Sequence, residues 1–164
     1  MDIRLARIDD RLIHGQVTTS WTKRTDINRI IVVSDTVAFD HLSKFLLQQA
    51  APPGINANVV TVTKMLEAYN SALFQSQKVM LLFTNPKDVE KLVRGGIELK
   101  SLNIGGMRFE NGKQMVTNFV SVDEKDQASF HYLAKQGIEL EVRKVPTDRK
   151  VNLVDLLDKK ERTK

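Results

Sequence analysis

One histidine stands where a short apolar segment gives way to a segment of helical periodicity. His14 follows the apolar run 3–8, and Gly15 and Gln16 open the amphipathic stretch behind it. The first N–H groups of a helix are unpaired and lie at its positive dipole end, so they favour an anion carried on His14. A neutral imidazole can attack phosphorus through one ring nitrogen while a hydrogen bond holds the other. His14 is therefore a candidate covalent carrier of phosphate.

Three charged residues precede this histidine. Arg11 carries a guanidinium group whose fork matches the oxygens of a phosphate. Asp9 and Asp10 are both near enough in sequence to orient the imidazole, or instead to pair with Arg11. The residues themselves leave these two roles open.

The apolar pattern indicates which elements position these residues. Strand-length apolar runs alternate with amphipathic helical stretches, which is typical of βαβ units. The runs cover residues 3–8, 29–34, 57–62, 79–84, 102–104 and 140–145. The pattern predicts an α/β fold with one doubly wound, open, mostly parallel sheet and helices on both faces. The pair Asn111-Gly112 predicts a hairpin that adds one antiparallel strand, and residues 151–157 are predicted to form a closing helix.

A second loop is expected at the edge of the sheet that carries His14. Ligands of such sheets gather at the carboxyl ends of strands, where the winding direction reverses. The strand order 3-2-1-4-5 would place Thr84 and Asn85, which follow the fourth strand, beside His14 as further phosphate-binding groups. The competing interpretation of Thr84-Asn85-Pro86 is a plain helix start.

Composition narrows the possible classes of protein. With 164 residues, 41% of them hydrophobic, we expect one domain over residues 1–164. No apolar stretch approaches the roughly 20 residues of a membrane span, and no secretory signal is evident, so we expect a cytoplasmic protein. The lysines and arginines behind the net charge of +5 are scattered, which argues against nucleic acid. The chain has no cysteine, three scattered histidines and no nucleotide-binding motif, so neither a metal nor a cofactor is expected.

Several segments resemble the IIB subunit of the mannose/fructose/sorbose family of the bacterial phosphoenolpyruvate-dependent sugar phosphotransferase system. They are residues 6–17, 30–35, 50–54, 83–86, 102–107 and 137–143, with Val145-Pro146. The resemblance runs from end to end and implies a sheet of about seven strands. It implies a phosphohistidine–sugar phosphotransferase in which His14 receives a phosphoryl group on Nδ1 from a phosphohistidine of the IIA component. The group would then pass to mannose, fructose, sorbose or an amino sugar held by the membrane subunits IIC and IID, with which the chain would associate peripherally.

Phosphoryl transfer requires in-line positioning and neutralisation of the charge on the phosphoryl oxygens. Arg11 and the helix start at Gly15 and Gln16 would supply both without a metal. One alternative is a Mg²⁺-dependent phospho-aspartate receiver in which Asp9 and Asp10 hold the metal, although residues 60–63 offer no aspartate after the third strand. Another is a non-enzymatic module that binds a small molecule or a protein at the same edge.

Overall fold

A seven-stranded sheet organises the chain. The structure is a computed structural model that describes residues 1–163, with Gln16 and Val17 described by their backbone only. The described residues form nine strands, of which β6 and β7 make a separate two-stranded sheet. In chain order they are β1 (Asp2–Asp9), β2 (Arg29–Val33), β3 (Asn56–Val60), β4 (Lys78–Phe83), β5 (Ser101–Gly106), β6 (Gln114–Thr117), β7 (Val120–Val122), β8 (Glu139–Val142) and β9 (Val151–Asn152). The main sheet has the order β3-β2-β4-β1-β5-β8-β9, and only β9 runs antiparallel to its neighbour.

Helices cover both faces of this sheet. They are α1 (Gly15–Thr25), α2 (Asp35–Ala38), α3 (His41–Gln49), α4 (Val62–Tyr69), α5 (Pro86–Arg94), α6 (Glu124–Lys135) and α7 (Leu153–Arg162). Successive residues of a strand point to opposite faces, so Met80 and Leu82 contact the core on the α1 side, whereas Leu81 and Phe83 contact the core beneath α4 to α7. The predicted doubly wound α/β fold is confirmed.

The predicted strand order is wrong at one place. β4 lies between β2 and β1, so the neighbours of β1 are β4 and β5. The apolar pattern could not separate these possibilities, because several strands are equally apolar and suited to the centre of a parallel sheet. The predicted contact between β1 and β4 does form, with Ile8 opposite Phe83.

The antiparallel strand predicted near Asn111-Gly112 forms as β6, but its pairing differs from the prediction. Asn111-Gly112 forms a turn in which Lys113 N donates to Glu110 O, but β6 and β7 both follow it and pair with each other. The antiparallel strand of the main sheet is β9, within the segment predicted to be helical. The closing helix begins only at Leu153, because the side chain of Asn152 accepts a hydrogen bond from Asp155 N (3.2 Å) and caps it.

Replacing Leu92 tests the packing of α5 on the sheet. This side chain is fully buried, so we expect Leu92→Ala to lower the free energy of unfolding by about 2–5 kcal/mol. Leu73→Ala is the matched control, because Leu73 is 83% exposed and its truncation should change stability by less than about 0.5 kcal/mol. Urea denaturation of both variants measures the difference, and equal losses would contradict the assignment of the core.

Candidate functional site

The loop after β1 presents His14 at the edge of the sheet. Leu12 and Ile13 are buried in the core on the α1 side and anchor the loop there. His14 itself is the N-cap residue of α1, with an extended backbone. Its N–H donates to Thr18 Oγ1 (2.9 Å), and that hydroxyl donates to the carbonyl oxygen of His14 (3.1 Å). The imidazole makes no capping hydrogen bond at the described start of α1.

The two nitrogens of the imidazole have different surroundings. Nδ1 lies 2.8 Å from the carbonyl oxygen of Leu12 and therefore carries a proton. Leu12 adopts a left-handed backbone (φ 58°), which a leucine rarely does, and its N–H donates to Asp9 O (2.8 Å). Nε2 is buried, has no hydrogen-bond partner among the described residues, and lies 3.8 Å from Asp9 Oδ2. The carboxylate of Asp9 thus faces the inner side of the ring.

Asp9 is fully buried and binds two guanidinium groups. Its Oδ2 lies 2.9 Å from Nη2 of Arg7, and Arg11 approaches with Nε at 3.1 Å from Oδ1 and Nη2 at 3.1 Å from Oδ2. Burial raises the pKa of Asp9, but the hydrogen bonds from Arg11 and the charge of Arg7 outweigh it, so the pKa lies below its ordinary value. Asp9 is therefore a carboxylate at neutral pH.

Arg7 lies within β1 and extends this network beneath the sheet edge. Its guanidinium group is buried and donates to Asn103 Oδ1 and to the carbonyl oxygen of Arg143 (3.2 Å). The ring of Trp21 has the guanidinium carbons of Arg7 and Arg143 at 5.3 and 5.1 Å from its centre. A Cβ atom at position 105 would overlap the Arg7 guanidinium, so Gly105 is required for this approach. Arg7 and Gly105 were not predicted from the sequence, although an arginine within an apolar strand was a visible signal.

Asp9 and Asp10 have separate roles. Asp10 Oδ2 accepts hydrogen bonds from Arg108 N (2.7 Å) and Arg108 Nε (3.3 Å), which connects the end of β1 to the end of β5. Of the two residues proposed to orient His14, Asp9 is the one that the structure places against the ring. Asp9 is also the partner of Arg11, whereas its role in orienting the imidazole stays a prediction.

The loop after β4 lies beside β1 but forms a helix start. Asn85 Oδ1 accepts from Asp88 N (2.9 Å) and caps α5, while Asn85 Nδ2 donates to Thr84 Oγ1 (3.0 Å). These described bonds involve no atom of the His14 loop, so phosphate binding by Thr84 and Asn85 stays a prediction. The side chain of Gln16 lies outside the described part of the chain, and the backbone of Gln16 belongs to the first turn of α1.

Comparisons with known proteins identify the family. A family model described as "PTS system sorbose subfamily IIB component" matches residues 3–164. The chain is 60% identical over 159 residues to the PTS system mannose-specific EIIAB component of Escherichia coli K12, which covers 97% of this chain but 49% of that protein. The chain thus spans about half the length of that relative. It is 49% identical over 158 residues to the PTS system sorbose-specific EIIB component of Lacticaseibacillus casei, covering 96% of each.

Solved structures agree with the family model. The IIBSor domain of the sorbose permease from Klebsiella pneumoniae superposes with a TM-score of 0.95 at 46% identity, covering 97% of this chain and 98% of that one. The chain belongs to the sorbose-subfamily IIB components of the phosphotransferase system, as the resemblance of its sequence implied.

Removing the charge of Asp9 tests the buried network. Asp9→Asn leaves the Arg7 guanidinium buried without its anionic partner, so we expect the free energy of unfolding to fall by about 3–5 kcal/mol. Asp10→Asn is the control, since its partner Arg108 is largely exposed and the loss should stay below about 1 kcal/mol. Chemical denaturation at pH 7 compares the two variants. Similar losses in both would show that the Arg7–Asp9 pair is not the central contact.

The pH dependence of stability provides a separate test of Asp9. A carboxylate whose pKa is lowered by folding stabilises the native state above its unfolded pKa of about 3.9, and this contribution is lost as pH falls through the lowered, folded pKa. The stability difference between the native protein and Asp9→Asn should therefore be constant from pH 7 to about pH 5 and narrow below about pH 4. Denaturation series at several pH values measure it, and a gap that widens on acidification would contradict the assignment.

Proposed function

We propose that this chain carries a phosphoryl group on His14 from a phosphohistidine donor to a sugar. The observation that carries the proposal is the position of the imidazole, at the start of α1 and against the Asp9–Arg11 ion pair. Membership of the sorbose-subfamily IIB components supports it, because the relatives are named as sugar-specific components of a phosphotransferase system. The His14 loop combines a nucleophile, a fixed cation and a helix N-terminus in one place.

The proposed reaction has two displacements. In the first, the unprotonated nitrogen of His14 attacks the donor's phosphorus, a new N–P bond forms, and the donor's N–P bond breaks as its imidazole leaves with the bonding electron pair. In the second, a sugar hydroxyl oxygen attacks the same phosphorus, the bond to His14 breaks, and the hydroxyl proton is released to a base. Arg11 would neutralise charge on the phosphoryl oxygens, a contribution worth about 3 kcal/mol for a single well-placed donor.

The surroundings of the ring bear on which nitrogen reacts. The family resemblance implies that Nδ1 receives the phosphoryl group. In the structure this nitrogen is hydrogen-bonded to Leu12 O. Attack through Nδ1 would therefore require the imidazole to turn about its Cα–Cβ bond, release this carbonyl and carry its proton on Nε2 instead of Nδ1. Attack through Nε2 without such a turn is hindered, because that nitrogen is buried. Asp9 would stabilise the positive charge that the ring gains when it accepts the phosphoryl group.

The partners follow from the same proposal. A relative named as a mannose-specific EIIAB component supports a IIA component as the phosphoryl donor. The sugar would be mannose, fructose, sorbose or an amino sugar bound by the membrane subunits IIC and IID, and the chain would work at the cytoplasmic side of that complex. Among residues 1–163 no helix has the length and apolar character needed to span a membrane.

The receiver alternative gains no support from the geometry. A Mg²⁺ ion at Asp9 would have to displace the two guanidinium groups that already occupy its oxygens, and Asp10 points to Arg108. The non-enzymatic alternative predicts that no phosphate is incorporated, which the following experiment measures.

Replacing His14 by glutamine tests the phosphocarrier proposal. Incubation with a phosphorylated IIA component should add one phosphoryl group to the native chain, as seen by intact-mass spectrometry, and none to His14→Gln. His41→Gln, which removes an exposed histidine at the start of α3, is the matched control and should be labelled normally. The label should be lost in acid and survive base, as a phosphohistidine does. An alkali-labile label, or labelling of His14→Gln, would refute the proposal.

A further inference from the structure

A pocket of about 400 Å³ opens between the carboxyl ends of β1 and β5, next to the His14 loop. Three cationic side chains, those of Arg11, Arg108 and Lys144, line it. We propose that this pocket binds the phosphate group of a small phosphate monoester, such as a sugar phosphate, through Arg108 and Lys144. This binding is non-covalent and goes beyond the proposed carrier function of His14.

Arg108 is anchored in a way that leaves part of its guanidinium group available. Its backbone N–H and its Nε both donate to Asp10 Oδ2, at 2.7 and 3.3 Å, so the stem of the side chain is held at the pocket. The side chain is 65% exposed, and its two Nη groups donate no hydrogen bond to any described residue. A guanidinium edge that is fixed at Nε and open at Nη can donate two parallel hydrogen bonds to a phosphate.

Lys144 is also anchored at this pocket. Its N–H donates to Asp148 Oδ2 (3.2 Å), and its carbonyl oxygen accepts from Trp21 Nε1 (3.0 Å). Its ammonium group lies 4.9 Å from the centre of the Phe119 ring and forms no ion pair with a carboxylate of the described residues. The backbone is thus fixed while the charge remains available for an anion.

Little negative charge opposes an anion in this pocket. Asp10 is the one carboxylate among the described lining residues, and its Oδ2 already accepts two hydrogen bonds from Arg108. Asp9 lies behind Arg11 and is paired with it and with Arg7. The lining therefore has three cations against one carboxylate, and a concave surface with this balance concentrates anions.

The size and remaining lining of the pocket favour an organic phosphate. Its volume lies within the range of about 300–1,000 Å³ that is typical of small-molecule sites. Phe119 adds apolar surface beside the cations, which suits the carbon skeleton of a sugar. The product of the proposed transfer belongs to this chemical class, but the contacts that define the pocket do not involve His14.

Titrations with three probes test this pocket. The native chain is titrated with mannose 6-phosphate, with inorganic phosphate and with mannose at constant ionic strength, followed by amide chemical shifts of residues 106–108 and 144. The same titrations use Arg108→Gln, Lys144→Gln and, as the matched control, Arg24→Gln, whose cation lies on α1 and does not line this pocket. His14→Gln separates this site from the proposed carrier function.

We expect both phosphates to bind and mannose not to bind. Arg108→Gln and Lys144→Gln should each weaken binding about tenfold, as the loss of a charge-assisted hydrogen bond does, whereas Arg24→Gln and His14→Gln should leave it unchanged. Tighter binding of mannose 6-phosphate than of inorganic phosphate would show that the sugar contacts the apolar lining, and equal binding would show that recognition is confined to the phosphate. Absent binding, or binding that survives in both Arg108→Gln and Lys144→Gln, would overturn the proposal, whatever the outcome of the labelling experiment on His14.

Discussion

The burial of one carboxylate governs the arrangement of the candidate site. Removing the charge of Asp9 from water costs several kcal/mol unless cations and hydrogen bonds replace the lost solvation. Arg7 and Arg11 provide that replacement from two directions, and both are thereby fixed in position. Arg7 in turn needs the space that Gly105 leaves on the neighbouring strand. The His14 ring lies against a carboxylate whose own position is determined by these contacts, so the site depends on the core of the sheet as well as on its loop.

The sequence predicted the parts of the structure that depend on local pattern. Continuous apolar runs located β2 and β4, and the junction after the first run located His14. The order of strands depends on contacts between distant segments, and equally apolar strands do not reveal it. The same limit applies within the site, because Asp9 and Asp10 are chemically identical neighbours. Their roles are separated by Arg108, which meets Asp10 across 98 residues of sequence.

The His14 site and the pocket lined by Arg108 share the Asp9–Arg11 ion pair. His14 approaches Asp9 at the start of α1, whereas the pocket with Arg108 and Lys144 lies toward β5, and Arg11 is positioned between them. A strand with neighbours on both sides can present one loop to two different environments. A central strand such as β1 has both sides of its loop supported by adjacent strand ends, which suits it to carry the proposed nucleophile.

The two-residue strand β9 limits the association of this sheet edge with other copies of the protein. An open sheet exposes a row of unpaired N–H and C=O groups at each edge, and such a row can template the addition of a strand from another chain. β9 pairs with Glu141 and Val142 of β8 and is followed at once by α7, whose Leu153 and Leu157 are buried in the core. At this edge an incoming strand finds only two residues to pair with before the chain turns away. The short strand thus protects this side of the sheet against aggregation by edge-to-edge association.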